Sequence, residues 1–292
     1  MEYPKISIVT PSYNQGDYLE DTILSVLGQN YPNLEYIIID GGSTDNSVEI
    51  IKKYEKHLAC WVSEKDEGQA QAINKGFQKS TGEIMAWLNS DDMYMPNILK
   101  NISSLMNPSD DILLYGQCMH MENNKNGLNS WGSNILNPQS EDLSLIDYII
   151  QPSTFWTRKV WEKVGCINTE FHYAFDWDWF LKAKNKNIKF VSINKTLSIY
   201  RIHSNHKSST GGETRQKELI KIYSIYNPFY KILFENIKNE KLNEFSNIYR
   251  IIRKIQNLLR IGNSYGTILK IIEKRKYNDY TAQEINTIRN ML

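Results

Sequence analysis

Two acidic turns in this chain stand where apolar runs stop abruptly, and both have the composition of ligand sites. In Ala86-Trp87-Leu88-Asn89-Ser90-Asp91-Asp92, a strand-like apolar run ends in a polar turn with two adjacent carboxylates. In open α/β sheets, ligands bind just beyond the carboxyl ends of the strands. Two acids there suit a hard divalent cation, which takes oxygen ligands and shares them with substrate phosphates. Such a cation neutralises charge on a departing diphosphate, so this turn points to chemistry on a nucleotide-activated substrate. The other turn, Asp40-Gly41-Gly42-Ser43, also ends an apolar run. A carboxylate there accepts hydrogen bonds from a base NH or a ribose hydroxyl. The other reading of Asp40 is an N-cap for the next helix, a job that Ser43 or Asp45 would do as well.

These turns need a framework, and the chain supplies one from its first residues. Residues 6–9 read as a strand buried on both sides, followed by the turn Pro11–Gly16. Asp17 with Glu20 three residues on is a capping-box-like start. Leu19, Ile23, Val26 and Leu27 then share one helical face. Further strands are expected at 34–39, 60–62, 84–88 and 112–115, with helices at about 48–54, 69–79 and 96–106, the last with Pro96 in its first turn. Strand–helix alternation argues for a parallel-rich sheet covered by helices. Residues 117–150, rich in Asn, Gly and Ser, read as a loop-rich insertion. Helices are expected again around 159–164 and 176–184, and strands around 188–193 and 197–200. From Arg215 onward nearly everything reads helical, with breaks at Asn227-Pro228 and Ile261-Gly262-Asn263.

Composition narrows the class. The 292 residues are 41% hydrophobic, enough for a substantial core, yet no apolar run is long enough to cross a bilayer. Met-Glu-Tyr-Pro-Lys passes straight into a strand, so a signal peptide is not expected. Three dispersed cysteines, Cys60, Cys118 and Cys166, give neither a disulfide framework nor a metal-ligand spacing. A reducing cytosol is the expected compartment. The net charge of +1 hides an asymmetry: residues 215–292 hold 15 Lys+Arg against 7 Asp+Glu, and the rest 19 against 26. An acidic body with a basic tail points to an anionic partner.

Six motifs follow one another: Pro11-Ser12-Tyr13-Asn14, Asp40-Gly41-Gly42-Ser43-Thr44-Asp45, Asp66-Glu67-Gly68, Asn89-Ser90-Asp91-Asp92, Phe175-Asp176-Trp177-Asp178 and Tyr200-Arg201-Ile202-His203. Their order and spacing resemble those of the inverting glycosyltransferases of family two, which include bacterial surface-polysaccharide enzymes. The resemblance covers about residues 4–210. It implies an α/β GT-A fold, Rossmann-like, with a mixed, mostly parallel sheet and helices on both faces. On this basis residues 1–214 form the catalytic domain, with a nucleotide-sugar half at about 1–116 and an acceptor half at about 117–214. Residues 215–292 form a basic helical extension.

The resemblance also implies roles. Pro11, Tyr13, Asp40, Gly41, Asp66, Gln69, Asn74, Asp91 and Arg201 would bind the nucleotide-sugar. Tyr13 would stack on or flank the base, or else pack as a turn aromatic. The family's acid-any-acid pattern appears as Asn89-Ser90-Asp91, so the first acid is an amide and ligation rests on the later two. Asp92 and His203 would hold Mn²⁺ or Mg²⁺, with Asp91 at the ribose or behind the ligand. An imidazole ligand suits Mn²⁺ better than Mg²⁺. Gln71 stands where a related acid is common. Asp176 would be the general base, within hydrogen-bond reach of the acceptor hydroxyl, or an N-cap only. A helix N-terminus favours its charged form, while apolar neighbours raise its pKa. Asp178 would support it, and the surrounding aromatics would stack on a sugar ring. Residues 203–212 read as a lid ordered by the nucleotide, with His206 and Lys207 as further phosphate contacts. Gln151-Pro152-Ser153-Thr154-Phe155 would shape the acceptor pocket, or form an ordinary strand entry.

The function implied is a metal-dependent inverting transfer of a sugar from a nucleoside-diphosphate sugar, with a UDP-sugar expected. The acceptor would be a hydroxyl of a glycan or lipid-linked glycan in surface polysaccharide synthesis. A nucleotidyltransferase is the rival enzyme, but Pro11–Gly16 contains neither Lys nor Arg to bind a triphosphate. A non-catalytic nucleotide- or glycan-binding module would not need the Asp176 carboxylate. In the tail, Ile248, Ile251, Ile252, Ile255, Leu258 and Leu259 form an apolar face beside Arg250, Arg253, Lys254 and Arg260. Such a helix lies on an anionic membrane or packs on the catalytic domain or a second copy as a homo-oligomer. The expected location is cytoplasmic, peripheral on the inner face of the cell membrane. Nucleic acid is not an expected partner, since no binding motif accompanies the charge.

Overall fold

The computed structural model describes residues 3–124, 127–133, 142–203, 207, 211–244 and 279–292. The chain divides into two compact units, one of Met1–Ser140 with Asp147–Arg215, the other of Glu141–Ile146 with Gln216–Leu292.

In the first unit, β1 (Ile6–Ser12), β2 (Leu34–Asp40), β3 (Cys60–Ser63) and β4 (Ile84–Trp87) are linked through α1 (Gly16–Leu27), α2 (Ser47–Tyr54) and α3 (Gln69–Lys79). These four strands are parallel, in the order β3-β2-β1-β4. All seven residues of β1 are buried, so it is covered on both faces, as its unbroken apolar run requires. From β1 the chain winds outward to β2 and β3, then returns past β1 to β4. The change of direction falls between β1 and β4, and opens a crevice at their carboxyl ends. Gly76 of α3 lies so close to Val9 that any Cβ there would strike it, so the glycine lets α3 press directly onto β1.

Beyond β4 the sheet becomes mixed. β5 (Met93–Tyr94), α4 (Ile98–Leu105), β6 (Ile112–Asn124), β7 (Gly127–Gly132), β8 (Thr154–Thr157), α5 (Arg158–Val164), α6 (Phe175–Asn185) and β9 (Lys189–Ile202) follow. The full strand order is β3-β2-β1-β4-β8-β6-β9-β5, with β7 hairpinned onto β6. Pairings β4–β8, β6–β8, β5–β9 and β6–β7 are antiparallel, and β6–β9 is parallel. The sheet is thus mixed and mostly parallel, as expected: its N-terminal half is wholly parallel and the long β6–β9 pairing is parallel as well. The region read as a loop-rich insertion is partly sheet, because β6 runs for 13 residues and turns into β7. Cross-strand pairing overrides the polar local composition there. The two strands expected after 188 are one 14-residue strand, β9, carried past β6 by register shifts between Tyr115 and Cys118. The capping box expected at Asp17 is not formed. Gln15 is the N-cap of α1 without a side-chain bond, and Glu20 pairs with Lys53 and the Tyr54 hydroxyl.

Aromatic side chains fill the space around α3, β4, β8, α5 and α6. The Trp156 ring centroid lies 5.3 Å from Trp87, 4.8 Å from Trp179 and 5.7 Å from Phe77. Trp177, Trp179 and Phe180 are buried in this core, so they build the fold and do not offer the sugar-stacking surface expected of them.

The second unit has its own small core. The described helices in this part of the chain are α7 (Gly212–Tyr226), α8 (Pro228–Glu244) and α9 (Ala282–Met291). The expected Asn227-Pro228 break separates α7 from α8. Buried Tyr223 packs on Phe234 and donates its hydroxyl to the Leu145 carbonyl at 2.7 Å. Thr281 and Glu284 form a reciprocal capping box on α9. The basic amphipathic segment 248–259 and the break at 261–263 lie outside the described residues. No described helix is long and apolar enough to cross a membrane.

Candidate active site

The turn after β4 treats its two acids in opposite ways. Asp92 is 1% exposed. Its Oδ1 accepts the Arg201 backbone N–H at 3.1 Å and its Oδ2 accepts Asn89 Nδ2 at 3.2 Å. Burial, and then the charge of Asp91, push its pKa well above the ordinary carboxylate range. Asp91 keeps some exposure, and its Oδ2 stands 3.1 Å from His203 Nε2. The expected pairing of Asp92 with His203 is not formed. Asp92 faces inward and fastens the β4 turn to β9, whereas Asp91 is the acid that meets the imidazole. Both Asp92 oxygens are thus engaged by donors of the chain itself.

The end of β9 supplies the other half of the site. The Arg201 guanidinium lies over the Tyr18 ring at 5.1 Å, and its Nη1 meets Asp21 Oδ2 at 3.1 Å. Its side chain is 11% exposed, and Nε and Nη2 are buried with no hydrogen-bond partner among the described residues. A buried donor left unmet costs about 1–3 kcal/mol, more when charged. The His203 ring packs on Tyr18, 4.4 Å between centroids.

A chain of amides ties these parts together. Lys207 Nζ donates to Gln69 Oε1 at 3.1 Å, and Gln69 Nε2 donates to Asn89 Oδ1 at 2.7 Å. Asn89 Nδ2 donates also to Gln151 Oε1, whose own amide donates to the Trp87 carbonyl at 2.7 Å. Asn89 is therefore a hub and not merely a missing acid. Gln151 is buried and serves as a strut under the end of β4.

On the other side of the crevice, Pro11 is buried in β1 and Tyr13 stands 59% exposed just beyond the strand. That exposure removes the alternative of a packed turn aromatic. Asp40 is wholly buried. Its carboxylate accepts the backbone N–H of Gly42 and Ser43 and the hydroxyls of Ser43 and Ser63. It neither caps α2, whose N-cap is Asn46, nor lies open to a base or ribose; it shapes the turn after β2. Gly41 lets Asp66 close in, since a Cβ there would sit 2.9 Å from Asp66 Oδ2. Asp66 in turn accepts the Gly68 N–H at 2.9 Å. Asn74 departs from the expected set as well. It bonds the Ile167 backbone in both directions, at 2.9 and 3.0 Å, and so anchors α3 to the chain before α6.

Asp176 sits in the first turn of α6, with Oδ1 accepting the Trp177 N–H at 2.9 Å. Burial raises its pKa, while that backbone bond and the charges of Lys207 and Arg215 pull the other way. Asp147 lies close enough to be affected: burial, then the Asp176 charge, push its pKa well up. No pattern in the sequence marks Asp147, because it falls in a stretch without periodicity. Lys207 lies 5.2 Å from the Phe175 ring centroid, so it links the start of α6 to Gln69. Asp178 is buried and pairs with Lys182 at 2.7 Å, a bond within α6.

The residues that would hold a divalent cation here are Asp91 and His203. Among the described residues, no three His, Cys, Asp or Glu side chains cluster as a metal site. The Asp91–His203 pair offers one oxygen and one nitrogen ligand, leaving positions for phosphate and water oxygens. The unmet Arg201 donors beside it are fitted to an anion.

Solved structures share this architecture. Staphylococcus aureus TarS residues 1–349, in complex with UDP-GlcNAc, superposes with a TM-score of 0.59 at 17% identity, over 76% of this chain and 67% of that one. The mannosyltransferase PcManGT of Pyrobaculum calidifontis, in complex with GDP-Man and Mn²⁺, gives 0.60 at 15% identity, over 100% and 86%. The fold is GT-A. The family model Glycosyl transferase family 2 matches residues 7–162, more than half of the chain, and the chain belongs to that family. The uncharacterized glycosyltransferase alr2836 of Nostoc sp. is 29% identical over 236 residues, 73% of this chain and 70% of its own length. The putative teichuronic acid biosynthesis glycosyltransferase TuaG of Bacillus subtilis is 41% identical over 100 residues, covering 33% and 40%.

Proposed function

We propose that this glycosyltransferase is a metal-dependent, inverting enzyme that moves a sugar from a nucleoside-diphosphate donor to a hydroxyl of a surface glycan or its lipid-linked precursor. The observation that carries the reading is the Arg201 guanidinium, two of its donors unmet, beside the Asp91–His203 pair at the crevice. A diphosphate would satisfy the first, and the second would hold a cation that offsets its charge. Asp91 and His203 would hold Mn²⁺ or Mg²⁺, which when bound supplies positive charge to the leaving diphosphate. Arg201 adds charge-assisted hydrogen bonds to the same group. Tyr13, presented by Pro11, flanks the base, with Gly41 and Asp66 on the ribose side. Gln69 orders the turn through Asn89.

Asp176 takes the proton from the acceptor hydroxyl as its oxygen attacks the anomeric carbon opposite the leaving diphosphate. Its raised pKa makes it a better base than an exposed carboxylate. Positioning and charge stabilisation carry the rest of the rate. A UDP-sugar is the preferred donor, supported by the UDP-GlcNAc bound to TarS. A polysaccharide acceptor is supported by the teichuronic acid role in the name of TuaG, of which this chain covers 40%.

The test is nucleoside-diphosphate release across a donor panel, with Mn²⁺ or EDTA, for wild type, Asp91→Asn and Asp176→Asn. Metal-dependent release from one donor class, lost in both variants, supports the reading. Nucleotide binding without turnover for any donor, even with glycan acceptors supplied, would replace it with a binding module.

A further inference from the structure

Helix α1 buries Leu19, Ile23 and Val26 in the core, but a second stripe on it lies outside that apolar set. Tyr18, Thr22, Ser25 and Gln29 recur at helical spacing, with Asp21 beside them. Tyr18, Asp21 and Thr22 touch segments that carry part of the site, and Ser25 and Gln29 touch the chain just after it. The Tyr18 ring packs on His203 and lies under Arg201, and Asp21 holds the Arg201 guanidinium. Thr22, wholly buried, places its hydroxyl 2.7 Å from the Asp92 carbonyl and 2.9 Å from the Ser90 carbonyl. Ser25 Oγ accepts the Tyr94 N–H at 3.1 Å. Gln29, just past the helix end, donates to the Met95 carbonyl and accepts the Ile98 N–H.

We infer that this stripe sets the geometry of the Asp91–His203 pair, and that Thr22 and Tyr18 are its positioning residues for divalent-cation binding. Thr22 bridges the two carbonyls on either side of Asp91, which fixes the backbone from which that carboxylate projects. Tyr18 fixes the plane of the opposing imidazole. One helix thus grips both halves of a pair whose members lie 112 residues apart in the chain. The remaining members, Ser25 and Gln29, hold residues 94–98, the segment that follows the turn. The inference rests on the functional reading above.

The experiment is Mn²⁺ titration of the whole chain, followed by EPR with Mn²⁺ alone and with UDP added, alongside thermal melting. Wild type, Thr22→Val, Thr22→Ser, Tyr18→Leu and Asp91→Asn are compared. Residues that orient metal ligands change affinity by about 10–100-fold when altered. Thr22→Val, which keeps the volume and removes the hydroxyl, is expected to weaken Mn²⁺ binding by about that factor while melting cooperatively. Thr22→Ser is expected to restore it, and Tyr18→Leu to weaken it. If Thr22→Val does not fold, the partly exposed Tyr18 position decides, and unchanged affinity in Tyr18→Leu overturns the inference. Binding that Asp91→Asn loses but folded Thr22→Val and Tyr18→Leu retain overturns this inference alone. If wild type binds no Mn²⁺ in either condition, the functional reading falls first and this inference with it.

Discussion

Asp176 is held between burial, which raises its pKa, and the backbone N–H, Lys207 and Arg215, which lower it; burial wins. As the proposed base it must be ionised, so kcat is predicted to rise with pH through a midpoint above the ordinary carboxylate value of 3.8. Asp176→Asn is predicted to lower kcat by about 10²–10⁴-fold with little change in donor KM, and to abolish that acid limb. Stability moves in the opposite sense. Because the folded state holds this proton more tightly than the unfolded chain, the favourable contribution is full below 3.8. It is lost as pH rises through the folded value. Asp176→Asn should therefore melt above wild type at neutral pH, with the gap closing in acid, which calorimetry across pH would show. The two acids after β4 allow a sharper comparison. Asp91→Asn is predicted to cost about tenfold or more in Mn²⁺ affinity, and Asp92→Asn, which keeps an acceptor for Arg201, distinctly less. Isothermal titration checks the order; equal losses would return Asp92 to direct ligation.

At the scale of elements, the site depends on how closely helices approach strands. Helix α3 starts with Gln69, which reaches Asn89, and it is seated by Gly76 against Val9. Gly76→Ala has no room for its methyl, so the helix or the strand must shift, at about 1–3 kcal/mol. Urea denaturation is predicted to show a lower midpoint at an unchanged slope. Donor KM should rise as well, because the shift is passed to Gln69. Strand β9 shows a related dependence. Near its end Arg201 sends its backbone N–H to Asp92 and its side chain to α1, while His203, just past the strand, meets Asp91. One slip of register would turn both away from the turn they serve.

At the scale of the whole molecule, a basic excess lies at 215–292 and an acidic excess in the rest. Peripheral placement on an anionic membrane would bring the enzyme to a lipid-linked acceptor. Basic side chains near such a surface contribute about 1 kcal/mol each. Replacing Arg250, Arg253 and Lys254 by Glu is predicted to reduce sedimentation with phosphatidylserine vesicles sharply, without altering donor hydrolysis in solution. Unchanged partitioning would leave the tail to a protein contact, which light scattering would report as a change in mass.

Much of the fold was legible in the sequence because its signals are short-ranged. The apolar run of β1, the helical period of α3 and the break at Asn227-Pro228 each lie within a few residues, and each predicts its element. The polar turn at Asn89–Asp92 likewise announces its chemistry locally, since the strand before it and the acids in it are neighbours in the chain. What the sequence could not assign is which acid faces out. Asp92 turns inward because the Arg201 N–H, 109 residues away, meets it, and Asp91 is left to His203. The same holds for Asp40, taken up by Ser43 and Ser63, for Asn74, taken up by Ile167, and for the β6–β7 hairpin, made by pairing that polar composition conceals. A carboxylate or amide at a strand end advertises hydrogen-bonding capacity. Only the tertiary structure, by bringing distant donors within 3 Å or leaving them out, decides whether that capacity is spent on the chain or kept for a ligand.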